Sequence, residues 1–262
     1  MAVGTDTQLR RPVRTGWSLA GTTPPAGVEF WAMAVCVCAV GGFFGSLVAV
    51  APGPGRVGAV GAAAAWLGAA VAFRLRARRG LAWWFWITTL LAGVAAEAVV
   101  TLLLQDARIP VALVAAPLGG ALWCAAAVWW YLERTRGRAN LCAPRWQVFF
   151  WATLVAAISL GDVLSQELDA AFGLALAAVA VVVVLLLWPR RSAATLAFWT
   201  GFVLLQPFGT GLESFLARPR RSGGLGVGSP DTVEFFVLSA LSLAAHQACA
   251  RPHTGDTTAH NG

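Results

Sequence analysis

The sequence predicts an all-α fold: a polytopic transmembrane bundle of eight helices built from four parallel helical-hairpin repeats. Three observations predict it. The chain is 58% hydrophobic and only 12% charged, a balance that suits a bilayer better than water. Its apolar residues gather into eight runs, each close to the roughly 20 residues that a helix needs to cross the hydrocarbon core. Every second run carries a Trp followed by small and polar residues at a repeating spacing.

The runs are 28–51, 57–75, 81–104, 110–132, 146–166, 170–188, 193–217 and 231–250. They fill most of the chain and leave no separate soluble domain, so 28–250 reads as one transmembrane domain. The flanks 1–27 and 251–262 are rich in Thr, Gly, Pro and Arg and read as disordered cytoplasmic tails. Arg10, Arg11 and Arg14 precede the first run, which ends in Ala-Val-Ala at 49–51. That run is too long for the h-region of a signal peptide and Pro52 would follow the cut, so it reads as a retained helix. In the fourth run Pro117 with Gly119 and Gly120 predicts a kink. In the seventh, Pro207 removes a backbone hydrogen bond near mid-membrane, and with Gly209 and Gly211 it predicts a kink or break. Broken helices at that depth line binding sites in transporters.

The net charge is +7 and every basic residue is Arg. The placement of those Arg residues argues against nucleic acid as a partner. With both termini in the cytoplasm, fourteen of the 19 fall in inside segments, as the positive-inside rule expects of a bacterial inner-membrane protein. The five Cys, at 36, 38, 124, 142 and 249, have neither disulfide-framework nor zinc spacing and read as small packing residues. The run GGLGVG at 223–228 lacks the preceding strand and the Lys of a phosphate loop. There is no Ser/His/Asp set and no HExxH. No enzyme activity and no cofactor are expected.

Four segments align on a Trp: EFWAMAVCVCAVGGFFGSL, WFWITTLLAGVAAEAVVTL, FFWATLVAAISLGDVLSQE and AFWTGFVLLQPFGTGLESF. The anchors are Trp31, Trp86, Trp151 and Trp199. Ten residues on stand Gly41, Ala96, Gly161 and Gly209, all small. One further stand Gly42, Glu97, Asp162 and Thr210, and at fifteen Ser46, Thr101, Gln166 and Ser214. Offsets of eleven and fifteen share one helix face, a turn apart, so each odd helix carries a polar stripe. A plainer, more apolar helix follows each one, giving repeats at about 28–75, 81–132, 146–188 and 193–250 that enter the membrane in the same direction. The odd helices are expected to line the centre and the even ones to face lipid. The small residues suit close helix packing. The Trp anchors, with Trp83, Trp84, Trp129, Trp130, Trp146 and Trp188, suit an interfacial aromatic belt.

These units resemble a family of bacterial multi-pass membrane proteins, described as uncharacterised membrane-anchored proteins and built from a repeat of unassigned function. The resemblance spans about 28–250 and rests on FW, Gly at ten, an acidic residue or Thr at eleven, and the family's Asp at fifteen. The fourth unit is most similar, with FW at 198–199, QPFGTGLES at 206–214 and RPRRSGGLGVGS at 218–229. Where the family tends to carry Asp at fifteen, this chain has Ser46, Thr101, Gln166 and Ser214. The resemblance implies an architecture and no reaction.

Glu97 and Asp162 fall at similar depth, a few residues beyond the centres of their spans. A charge there costs at least about 2.5–3.5 kcal/mol, and no Arg lies in the central part of any span to offset it. The two acids must be protonated, share a proton, meet water or hold a cation. Glu213 stands nearer the outer surface, with Arg218 and Arg220 close in sequence, and reads as an interfacial or surface-paired residue. The function expected is transport of a cation or small solute, with or without proton coupling. Glu97 and Asp162 are its ion or proton site, Ser46, Thr101, Gln166, Thr210 and Ser214 its polar lining, and Pro207, Gly209 and Gly211 a helix break. The alternative is a membrane scaffold or partner-binding subunit whose polar stripe only packs helices. Substrate, bound metal and oligomeric state are left open.

Overall fold

The computed structural model describes residues 23–24, 27–50, 55–76, 82–136, 144–167 and 194–249. Seven α-helices run through them: α1 (Val28–Ala49), α2 (Gly55–Arg76), α3 (Ala82–Thr101), α4 (Val111–Arg136), α5 (Pro144–Glu167), α6 (Ala194–Ala217) and α7 (Ser229–Cys249). There is no strand among the described residues. The expected sixth run, 170–188, lies outside them, as do nearly all of the two tails. Five stretches are long and apolar enough to cross a membrane: Val28–Ala49, Gly55–Arg76, Trp83–Asp106, Val111–Leu132 and Trp146–Gln166. α6 and α7, with 24 and 21 residues, match them in length but are not among the five.

Helices α1, α3, α5 and α6 form a closed inner ring, each packed on the next and α6 on α1. The others lie outside it: α2 packs mainly on α3, α4 mainly on α5, and α7 mainly on α1. Burial follows this layout. Half or more of the apolar window of α1, α3 and α5 is buried, at 56%, 50% and 56%, against 17% for α2 and 11% for α4. Large apolar side chains of the outer helices stay uncovered, among them Trp66, Leu113, Trp123, Tyr131 and Leu241. In water such a surface would aggregate; in lipid it is the solvated face.

One end of the inner ring is closed by aromatic side chains. Phe30, Phe85, Phe150 and Phe198 form a cycle, with centroids 5.9 Å apart from Phe30 to Phe85, 6.3 Å from Phe85 to Phe150, 6.3 Å from Phe150 to Phe198 and 6.0 Å from Phe198 to Phe30. Each Phe also meets the anchor Trp of the next inner helix: Phe30 with Trp86 at 5.1 Å, Phe85 with Trp151 at 5.6 Å, Phe150 with Trp199 at 5.5 Å and Phe198 with Trp31 at 5.9 Å. All eight contacts are tilted, and at these distances such geometry suits the ring quadrupoles.

Three of the four anchors therefore do not sit as belt residues do. Trp86, Trp151 and Trp199 are buried, with indole N–H groups that reach no acceptor among the described residues, whereas a belt Trp keeps its N–H at the wet headgroup level. The two partners that each ring needs lie on neighbouring helices, and closing the cycle turns the anchors inward. Trp83 and Trp130 remain exposed, as a belt requires.

Candidate functional site

Glu97 and Asp162 lie twelve residues beyond Phe85 and Phe150 in the sequence, which is about 18 Å further along their helices. Between the aromatic cycle and this level the interior is filled by Ala34, Cys38, Ala92, Ala96, Leu154, Ala157, Ile158, Phe202 and Leu205. The acids thus sit over a packed apolar floor.

Asp162 is fully enclosed, at 0% exposure. Its carboxylate oxygen Oδ1 accepts a hydrogen bond from Gln206 Nε2 on α6. The other oxygen, Oδ2, is buried and has no hydrogen-bond partner among the described residues. Glu97 is half-buried and its Oε1 accepts from Thr101 Oγ1, 3.3 Å away and one turn on. Asp162 and Glu97 interact electrostatically with each other, Glu97 also with Glu213 of α6, and Asp162 with Cys38 of α1. All four inner helices thus contribute to one polar group, which holds three carboxyls. Among the described residues no three His, Cys, Asp or Glu side chains stand close enough together to hold a metal ion.

Small residues make this enclosure possible. A Cβ on Gly161, the residue before Asp162, would stand 2.5 Å from Val203 O and 2.8 Å from Gln206 Cβ. A Cβ on Gly45 would stand 2.6 Å from Glu97 Cβ and 2.9 Å from Val94 O. With hydrogen at both places, α6 closes on α5 and α1 on α3, so that backbone covers each acid.

The expected break at Pro207 is not there: α6 runs unbroken from Ala194 to Ala217, with Pro207, Gly209 and Gly211 all inside it and all buried. Proline leaves the carbonyl four residues earlier without its helical donor, and that carbonyl is Val203 O, the atom against which Gly161 packs. Thr210 Oγ1 adds hydrogen bonds to Gln206 O at 3.0 Å and Pro207 O at 3.4 Å. The neighbouring helix and a local hydroxyl together hold the turn in place. α4 likewise continues through the exposed Pro117.

Of the expected lining, Thr101 joins the acids, while Thr210 supports the backbone of Gln206 from one turn on. Gln166 Nε2 is buried with no partner among the described residues. Ser46 is half-buried, and its hydroxyl donates to Phe43 O at 2.7 Å on its own helix. The side chain of Ser214 lies outside the described residues.

The expected surface pairing of Glu213 with Arg is not found among the described residues. Glu213 stands half-buried, within electrostatic reach of Glu97, while Arg218 and Arg220 are exposed and Arg220 Nε donates to Leu225 O at 3.3 Å. The loop after α6 folds back on itself, with Leu225 N donating to Phe215 O and Gly226 N to Arg218 O. Gln206 was missed. Its signal is present, because it precedes Thr210 by one turn and so belongs to the same polar stripe.

Five membrane-length apolar helices, an uncovered apolar exterior and an enclosed carboxyl group define an all-α integral membrane protein. No family model, no curated protein and no solved structure matches the chain.

Proposed function

We propose that the protein is a transporter of a cation or small solute, with or without proton coupling, in which Glu97 and Asp162 form the ion or proton site. The observation that carries this reading is Asp162, wholly enclosed on α5 beside Glu97, with only one oxygen bonded to a neighbour. Ionisable groups at membrane depth are expensive and mark ion pathways by default. Thr101, Gln166 and Gln206 supply the polar surroundings.

The architecture belonging to this reading is eight spans in four hairpin repeats, with the helix for 170–188 as the outer partner of α6 and both termini on the cytoplasmic face of a bacterial inner membrane. Support comes from the cyclic Phe and Trp contacts and from matched packing. Gly41 abuts Leu90 O and Gly93, and Gly161 abuts Val203 O and Gln206. These lie at the same offsets, ten from one anchor and four and seven from the next. α6 counts as a span because it occupies a place in the inner ring between α5 and α1. The repeat family of membrane-anchored proteins is where such a chain would belong.

A scaffold is the second reading, and the aromatic floor favours it, since a centre plugged by four Phe side chains offers no open path through the ring. Reconstitution separates the two. Proteoliposomes with wild-type protein are screened for proton and cation flux against Glu97→Gln/Asp162→Asn protein that elutes as the same folded species. Transport requires flux that the double variant loses. Equal and negligible flux from both, with loss of stability in the variant, would leave the scaffold.

A further inference from the structure

The chemistry of the donor set narrows the ion. We propose that the ion held at Asp162 is a proton on Oδ2, and not a metal cation; this rests on the acid site described above but not on transport through it. Two observations carry the proposal independently. The first is charge. An ionised carboxylate in a low-dielectric interior requires a counter-charge or strong donors at both oxygens. Among the described residues, the groups that reach Asp162 are Glu97 from α3, Cys38 from α1 and the amide of Gln206 from α6, with Glu213 behind Glu97. None of these is basic. The two Arg residues of α2 in reach of the inner ring are engaged at its ends: Arg56 with Asp106 and Arg74 over the Phe85 and Trp151 rings at 5.8 and 5.5 Å.

The second is the kind of atom that faces the acids. A metal cation needs a shell of oxygen acceptors, six or more for calcium or magnesium. Here Asp162 Oδ1 is already capped by an N–H and Glu97 Oε1 by an O–H. One turn beyond Asp162, Gln166 has a buried amide nitrogen with no partner among the described residues. No trio of metal-ligating side chains exists among the described residues. A proton needs only a single oxygen, and Oδ2 is the buried one with no hydrogen-bond partner among the described residues.

The test is infrared spectroscopy of the purified protein in lipid nanodiscs. The expected spectrum contains a carbonyl stretch of a protonated carboxyl group that Asp162→Asn removes and Glu97→Gln retains. Sodium, potassium, magnesium and calcium chloride should each leave that band in place. An Asp162→Asn spectrum with the band intact overturns the proposal, and so does the displacement of the band by any of these cations. Because Asp162→Asn disturbs a buried site, Gln206→Leu serves as a second variant. Loss of the hydrogen bond to Oδ1 must shift the band, and an unmoved band is equally fatal. Flux measurements fail separately, since a silent proteoliposome with the Asp162 band present removes transport and leaves the proton.

Discussion

Gln206 on α6 donates its side-chain amide to Asp162 on α5, and this hydrogen bond joins two helices at a point where neither residue touches solvent. Its removal exposes nothing to water and leaves the carboxyl oxygen unsatisfied. Gln206→Leu is therefore expected to cost about 1–3 kcal/mol. Gln206→Leu combined with Asp162→Leu should recover much of that loss, because replacing both partners removes the unmet group. Denaturant titration of the single and double variants in detergent checks the pair: additive losses would mean that the bond contributes no coupling.

Gly161 and Gly42 make a matched contrast on the inner helices. A Cβ at Gly161 would collide with a backbone oxygen at 2.5 Å, whereas nothing lies within 4 Å of one at Gly42. Gly161→Ala should lose on the order of 1–3 kcal/mol through forced separation of α5 and α6. Gly42→Ala should be neutral or slightly stabilising, because Ala is the better helix former. Thermal unfolding of both variants decides it, and equal midpoints would contradict the close approach.

Much of this arrangement was legible in the sequence, and the reason is periodicity. Apolar runs of membrane length announce the helices, and the spacing from Trp31, Trp86, Trp151 and Trp199 places Glu97 and Asp162 at one level. Positions that depend on a neighbouring helix were not legible. Whether Pro207 breaks α6 is decided by Gly161 and Thr210, and the inward turn of the anchor Trp residues by a Phe one helix away. Ser46 shares the stripe position of Thr101, yet its hydroxyl bonds its own backbone, a choice open to any helical Ser.

The Phe cycle should behave as one packing unit. Phe150 touches Phe85, Phe198 and Trp199 and is fully buried, while Phe235 on α7 is 56% exposed. Phe150→Ala is expected to cost on the order of 3 kcal/mol through the cavity it leaves, and Phe235→Ala well under 1 kcal/mol, as an exposed substitution does. If the cycle is also the barrier that closes the inner ring, Phe150→Ala proteoliposomes become leaky to protons and Phe235→Ala ones do not. A pH-sensitive dye trapped in the lumen reads this directly.

Arg74 supplies the last prediction. Its guanidinium lies over Phe85 and Trp151, so a residue of the outer helix α2 braces the contact between α3 and α5. A cation over an aromatic face contributes about 0.5–2 kcal/mol, more as it is desolvated, and the flat guanidinium also stacks where an ammonium cannot. Arg74→Gln, which keeps length and polarity but removes charge, should lower stability by roughly 1 kcal/mol. Arg74→Lys should recover only part of this. The effect should shrink when Arg74→Gln is placed on a Trp151→Leu background, since one of the two rings is then gone and only Phe85 remains. A double-mutant cycle by thermal unfolding measures the coupling, and independence of the two substitutions would show that Arg74 braces nothing.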